Sequence, residues 1–536
     1  MDRETNLDSI LVLEKRIEEH RGHEGIVIQL KRARNSLLNV STLLPPEILG
    51  SVFCWNAVPD GDFGGLPKGS YNFLLVCHHW FKVASCTPGL WSFWGNSVED
   101  WTHRYARCGT SPLDLVLDLD SQYSHLELND QLRGALRDRA TRDAIQQIHL
   151  RVHLGGQPIL SSIISSIVVE GEGTQLKCVE SLRVQNNDGP YVDVSAFFSR
   201  YRLPKLRDLR LSGCNISSWD LLKPQTTVLT TLELTARGVS PFPTMCQLLS
   251  ILASNPLLQR VVSFCNRDTN IAISDEHLSQ VPLRRLKRLH LTGDSCTTFQ
   301  LLHRLELPDK MDNLTLYLYE FSPLDLSQNL GPYFGNRLRR HGGFPGGGLG
   351  LFVHHDPTFF SIRVGDIYKG DDLSEAGLFA EIYAATSTQL QVEEADRLCF
   401  DLVSTIPWEQ VVGLQTTLPV LRSEKLCVRM CNLTCLRLVA VDLSMCFLDP
   451  EVCGPHTFGE LLPGLDSIVV AWPTLSGGDW SPLTNFLSRR AVVGNMVSFL
   501  GFTDHPHMGE DVVESIRRTV KVFRGERGIA GGGTLQ

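Results

Sequence analysis

Residues 206–216 read LRDLRLSGCNI, and the spacing of their apolar side chains decides the expected fold. Leu209 and Leu211 alternate with polar residues, which is the period of a strand with one buried face. Weaker copies recur along the chain, and neighbouring copies in its first stretch lie about 23 to 29 residues apart. The copies are Val179/Leu182/Val184, Leu229/Leu232/Leu234, Leu258/Val261/Phe264, Leu286/Leu289/Leu291, Met311/Leu314/Leu316, Leu433/Leu436/Leu438 and Leu465/Ile468/Val470.

The quoted segment fits the leucine-rich-repeat template, including the position that accepts Asn or Cys. Between the strands, residues 245–253 and 299–305 have helical periodicity. A strand–helix unit of this size cannot bury its apolar face alone, so the units are expected to stack. The sequence therefore predicts an α/β fold with an irregular leucine-rich-repeat-like solenoid over residues 101–508.

The ends and the middle of this region are less regular. Leucine at every second position predicts a strand within 112–119, and the same period recurs at 148–154. Residues 336–350 are rich in Arg and Gly and predict a loop, while the strands expected near 349–364 do not fit the repeat template. The apolar stripe from Val512 to Phe523 predicts a helix that caps the last repeat, and the glycine-rich end after it predicts a disordered tail.

The N-terminal part predicts helices instead. Residues 7–38 carry apolar positions at helical spacing and predict an amphipathic arm, interrupted by Gly22 and Gly25. A second helix is expected to begin at Pro46, because proline fits the first turn. A third, over residues 73–81, is apolar nearly all round. Such a helix needs burial on more than one side, so this small module is expected to require a partner.

Three short motifs in this module occur in a specific order: LPPEILGSVF at 44–53, VCHHW at 76–80 and TPGLW at 87–91. Together they resemble the F-box family, particularly its mushroom-type members, in which a helical arm comes first. The following RYARCGTSPL at 104–113 resembles the junction that links such F-boxes to a repeat domain. The stretch from Trp55 to Gly69 departs from the family because it is longer and richer in glycine.

The resemblance implies a substrate-recognition adaptor of an SCF-type ubiquitin ligase. In that family the F-box binds a Skp-type adaptor, a cullin scaffold carries the ubiquitin-conjugating enzyme, and the downstream domain selects the target. Carried over by position, the adaptor-facing residues are Leu44, Pro45, Pro46, Ile48, Leu49, Phe53, Val76, Cys77, Trp80, Leu90 and Trp91. Two alternatives stay open: these residues form only the core of a helical bundle, or the chain is a leucine-rich-repeat scaffold that binds a protein without ligase assembly.

Composition narrows the class of partner. The formal net charge is -9 without a large basic block, which disfavours nucleic acid as the principal partner. The sequence has no signal-like apolar start and no long apolar span, so a cytoplasmic or nuclear protein without a membrane partner is expected. The 15 cysteines are scattered and mostly lie within apolar runs, which is typical of reduced thiols.

Three candidate catalytic or ligand sites carry little weight. Cys427, Cys431 and Cys435 recur every four residues, but a predicted strand overlaps them and no fourth ligand follows. His354 and His355 could act as catalytic groups of a hydrolase, although an ordinary exposed turn is the preferred interpretation. The glycines at 346–350 lack the Lys-Ser/Thr of a phosphate loop. The sequence therefore predicts no enzyme activity, no cofactor and no metal.

These expectations give four parts. They are a helical arm over 1–40, an F-box-like helical module over 41–100, the repeat-like domain over 101–508 and a C-terminal helix with its tail over 509–536.

Overall fold

The computed structural model divides the chain into two compact units, Met1–Phe242 and Pro243–Gln536. The residues it describes are 3–38, 44–56, 72–95, 106–109, 111–119, 134–153, 160, 163, 176–186, 191–200, 202–225, 228–236, 242–264, 280–309, 311–319, 333, 335–336, 349–356, 359–366, 378–385, 406–416, 424–439, 462–471, 480–502 and 508–525. The expected four-part division stays a prediction. The expected tail after residue 525 and most of the expected loop at 336–350 lie outside the described residues.

The first unit begins with helices and continues with short strands. Its helices are α1 Arg3–Glu19, α2 Glu24–Leu38, α3 Pro46–Asn56, α4 His78–Ser85, α5 Arg139–Ala144 and α6 Ser195–Arg200, with 3-10 turns at Asn72–Leu75, Pro88–Trp91 and Trp219–Gln225. Its strands are β1 Phe93–Trp94, β2 Leu113–Leu119, β3 Ile145–Val152, β4 Ser181–Asn186, β5 Val192–Asp193, β6 Asp208–Ser212, β7 Cys214–Asn215 and β8 Thr231–Thr235.

The segment of the predicted arm contains two helices, α1 and α2, that pack on each other. The chain turns between them at residues 20–23, where Gly22 had predicted a break. Arg34 of α2 lies 3.8 Å from Glu14 of α1, so an ion pair links the two helices.

Six strands of the first unit form a parallel sheet, and β5 pairs with β7 apart from it. The strands pair in the order β1-β2-β3-β4-β6-β8. Along β2, buried and half-buried residues alternate strictly, because successive side chains point to opposite faces of a strand. The leucines of LRDLRLSGCNI behave in the same way: Leu209 and Leu211 are buried in β6. The strands predicted from the repeating leucines are confirmed at these positions.

The second unit contains longer strands and fewer helices among its described residues. Its strands are β9 Arg260–Phe264, β10 Val281–Pro282, β11 Arg288–Asp294, β12 Leu305–Glu306, β13 Asn313–Tyr319, β14 Leu349–Asp356, β15 Phe359–Asp366, β16 Leu378–Ala385, β17 Val411–Thr416, β18 Cys435–Val439, β19 Ser467–Ala471, β20 Val497–Phe502 and β21 Val520–Gly525. Its helices are α7 Met245–Ala253, α8 Ser295–Arg304, α9 Glu424–Arg429, α10 Ser481–Val492 and α11 Glu510–Thr519, with a 3-10 turn at Trp408–Gln410.

Side-chain caps fix the starts of the two predicted helices of this unit. Thr244 and Gln247 form a capping box at α7, in which each side chain satisfies the other residue's backbone N–H. Asp294 caps α8 by accepting from the Thr297 N–H at 2.8 Å. Both helices therefore begin where a short polar side chain can accept a hydrogen bond from the first turn.

The predicted leucine-rich-repeat-like solenoid is wrong: the structure is an α/β fold with a large, mainly parallel sheet. In a solenoid each repeat stacks on its predecessor in chain order. In the second unit β13 instead pairs with β16, which continues through β15 and β14 to β17, and β15 runs antiparallel to both of its neighbours. The α/β class itself is consistent with the prediction. Among the described strands no pairing closes either sheet into a barrel.

The C-terminal stripe also differs from its prediction. Helix α11 ends at Thr519, and Val520 begins strand β21, which pairs in parallel with β20. Val520 and Phe523 therefore lie in a strand, not in the predicted capping helix. The change occurs because backbone pairing with β20 is available directly after the helix.

Candidate functional site

Helix α3 begins where the prediction placed it and has two different faces. Pro46 is its first residue and Glu47 lies in its first turn, so an acidic group meets the positive end of the helix. Leu49 and Phe53 are each 2% exposed. On the opposite side, Ile48, Val52 and Trp55 follow at the i, i+4, i+7 spacing of one helical stripe.

The predicted helix over residues 73–81 is wrong in one respect, because it breaks into a 3-10 turn and helix α4. Cys77 has an extended backbone, with φ -160 and ψ 166, which a continuous helix cannot contain. Its Sγ accepts from the Trp80 N–H at 3.5 Å and so caps α4. The break turns the side chains of Leu75 and Val76 outward, where both are exposed.

Aromatic rings and one indole hydrogen bond form the core of the module. The Phe53 ring stacks on Phe73 with centroids 4.5 Å apart and contacts Trp80 at 5.1 Å. Trp91 is buried, and its Nε1–H donates to the Ala84 carbonyl at 2.9 Å. These contacts join α3, α4 and both 3-10 turns into one small unit.

Close packing at Gly50 leaves an open groove beside this core. A Cβ at Gly50 would lie 2.8 Å from Thr87 Oγ1, and that hydroxyl donates to the Val83 carbonyl at 2.7 Å. Glycine is therefore required for α3 to approach the end of α4. The groove has a volume of about 470 Å³ and is lined by Pro46, Glu47, Gly50, Ser51, Cys54, Trp55, Val83, Cys86, Thr87 and Pro88.

Exposed apolar side chains are concentrated in this module. Of the 16 large hydrophobic side chains exposed among the described residues, seven lie between residues 44 and 81. We call these seven the exposed apolar set: Leu44, Ile48, Val52, Trp55, Leu75, Val76 and Phe81. Trp55 and Leu75 are the most open, at 82% and 85%. So much exposed apolar surface on one short segment is typical of a protein-binding region.

The residues carried over from the F-box resemblance fall into three groups. Leu44, Pro45, Pro46, Ile48 and Val76 are exposed. Cys77 and Trp80 are half-buried. Leu49, Phe53, Leu90 and Trp91 are buried. In this conformation the last group packs within the module and does not present side chains to a partner, so its assignment to adaptor binding needs a rearrangement.

Sequence reasoning left four members of the exposed apolar set out of the predicted site. They are Val52, Trp55, Leu75 and Phe81. The helical spacing of Ile48, Val52 and Trp55 is a signal that could have found two of them. No comparable signal marked Leu75, because its exposure follows from the cap at Cys77.

The alternative sites do not come together in the structure. Cys427 lies in α9, Cys431 follows that helix and Cys435 lies in β18, so the three do not share a helix face. The two histidines at 354–355 belong to strand β14 and not to the predicted turn. No group of three or more His, Cys, Asp or Glu side chains in the described ranges is placed to hold a metal ion. No described helix combines the length and apolarity needed to cross a bilayer.

Comparison of the chain with protein-family models finds no matching family, and comparison with curated proteins finds no matching relative.

Proposed function

We propose that the chain is a substrate-recognition subunit of an SCF-type ubiquitin ligase. Helices α3 and α4 bind a Skp-type adaptor, the cullin scaffold joins through that adaptor, and another surface of the chain binds the target protein. Catalysis is supplied by the partners. The observation that supports this proposal is the exposed apolar set, which lies within the segment that carries the F-box-like motifs.

The magnitude of this exposure favours a protein partner. Burying one large apolar side chain contributes about 1.5–3 kcal/mol. Association costs about 4–15 kcal/mol, so several side chains of the set must be covered together for a stable complex. Ile48, Val52 and Trp55 lie on one stripe of α3, which allows a single partner surface to cover them.

Co-purification with a Skp-type adaptor tests the proposal. We expect the wild-type chain to retain the adaptor on size-exclusion chromatography and Trp55→Ser/Leu75→Ser to lose it. Both side chains are exposed, so the variant is expected to keep its fold. Val428→Ser/Val492→Ser is the matched control, because it removes two exposed apolar side chains from helices α9 and α10.

Two results would reject the proposal. One is adaptor binding that is unchanged in Trp55→Ser/Leu75→Ser. The other is the absence of any adaptor complex with the wild-type chain while a different protein occupies the same helices, which would favour a binding scaffold without ligase assembly.

A further inference from the structure

A cluster of cationic side chains lies at the start of strand β11. Four of its members are exposed and form no ion pair within the described parts of the chain: Arg284, Arg285, Lys287 and Arg288. Arg288 lies in register with Arg260 of β9, which adds a fifth positive charge. Four of these cations lie within residues 284–288, and their positive potential attracts an anionic ligand.

A row of aromatic rings continues from this cluster across three neighbouring strands. The His290 ring lies 4.5 Å from Phe264 of β9 and 5.0 Å from Tyr317 of β13, measured between centroids. All three side chains are half-buried. They stand on the side of the sheet opposite the buried leucines of β11, because residues alternate between faces. Part of each ring therefore remains accessible to solvent.

Arg288 and Arg260 lie on the same face of the sheet as the aromatic row. Arg288 and His290 are two residues apart in β11 and so lie on the same face. Burial, together with the charge of the nearby Arg260, lowers the pKa of His290 to about 4. The imidazole is therefore neutral at neutral pH and packs as a ring. Thr292 Oγ1 lies 3.2 Å from its Nε2 and fixes its orientation.

The sheet of the first unit lacks this combination. Arg202 and Arg207 are exposed cations before strand β6, but the strand face beside them carries paired charges. Asp208 accepts from Arg183 at 2.8 Å and from Arg210 at 3.0 Å. Arg183 and Arg210 are thus paired with a carboxylate on that strand face, whereas Arg284, Arg285 and Arg288 of the second unit form no ion pair within the described residues.

We propose that this basic–aromatic surface of β9, β11 and β13 binds an extended acidic polypeptide segment that carries aromatic side chains. Guanidinium groups form paired hydrogen bonds with carboxylates, and the row of rings stacks on aromatic side chains of the ligand. The chain has no large basic block that could neutralise a long polyanion such as RNA, which favours a short acidic segment. The inference rests on the proposed function in one respect: it takes this acidic segment to belong to the target protein.

Fluorescence anisotropy with the full-length chain tests this surface. The probe is a short fluorescein-labelled peptide of glutamates with two interspersed phenylalanines, measured without any adaptor. We expect saturable binding that Arg285→Gln/Arg288→Gln weakens about tenfold or more, and that His290→Ala weakens about threefold. The matched control, Arg202→Gln/Arg207→Gln, has the same change in net charge and is expected to bind as the wild type does.

Three results would overturn the inference. They are equal weakening in both arginine variants, equal binding of a peptide with glutamine in place of glutamate, and tighter binding of a single-stranded oligonucleotide of matched charge. Because no adaptor is present, failure here leaves the adaptor proposal untouched. Loss of adaptor binding in the helix variants likewise leaves this surface intact.

Discussion

The helical module around α3 and α4 leaves seven large apolar side chains in solvent, whereas the described strands leave one. In β2 every second residue is buried and the residues between them form a more polar face. Among the described strand side chains, the exposed large hydrophobic is Val522, in the terminal strand β21. In α3, by contrast, Ile48, Val52 and Trp55 are all more than half exposed. The sheets bury their own apolar residues, and we propose that a second protein covers those of the helical module.

The largest expected effect on stability distinguishes a buried strand residue from a residue on the exposed face of α3. Leu209→Ala in β6 removes a side chain that is 0% exposed, and we expect a loss of about 2–5 kcal/mol in the free energy of unfolding. Ile48→Ala in α3, which is 52% exposed, is expected to change it by about 0.5 kcal/mol or less. Urea denaturation of the full chain measures both. Similar losses in the two variants would contradict the distinction.

The next largest effect on stability is expected from replacing a buried arginine. Arg490 in α10 is 0% exposed, and its Nη1 and Nη2 donate to the carbonyls of Leu462 and Leu465 at 2.8 and 3.0 Å. We expect Arg490→Met to cost about 3 kcal/mol, because both buried carbonyls lose a charged donor. Arg489→Met is the neighbouring control on the same helix. Equal stability of the two variants in thermal unfolding would be evidence against this role.

Asp114 lies where the helical module meets the sheet, in register with Phe93 of β1. Burial raises its pKa to about 6, against about 3.9 for an unfolded aspartate. The folded state therefore holds the proton more tightly, so this contribution to stability is complete below about pH 4 and is lost as the pH rises through about 6. We expect Asp114→Asn to raise the free energy of unfolding by about 1–2 kcal/mol at pH 7. The variant should also flatten the pH dependence of that free energy between pH 4 and 7. An unchanged slope in that range would refute the assignment.

The smallest effect concerns one hydrogen bond inside the helical module. Trp91→Phe keeps most of the ring but removes the Nε1 donor to the Ala84 carbonyl. We expect the free energy of unfolding to fall by about 1 kcal/mol. Adaptor binding should not change, because Trp91 is buried within the module. A large loss of adaptor affinity with unaltered stability would mean that Trp91 contacts the partner directly.

Local patterns predicted the elements better than their arrangement. The leucine spacing placed β6 and its neighbours correctly, because alternation between the two faces is a property of the strand itself. The order β13-β16-β15-β14-β17 depends on contacts between residues distant in the chain, which no local spacing encodes. The solenoid prediction failed for this reason.

The candidate site divides in the same way. The motif resemblance identified the segment but did not distinguish exposed from buried residues within it. Leu49 and Ile48 are adjacent in the sequence, yet Leu49 is 2% exposed and Ile48 is 52% exposed. Helical phase accounts for that difference and was available from the sequence. The cap at Cys77, which exposes Leu75, depends on the folded backbone and was not available.

Amide hydrogen exchange with and without a purified Skp-type adaptor tests the claim that α3 and α4 are completed by a second protein. We expect slower exchange in residues 46–56 and 72–85 on adding the adaptor, with no change in β9, β11 and β13. Unchanged exchange in both helical segments at saturating adaptor would contradict it.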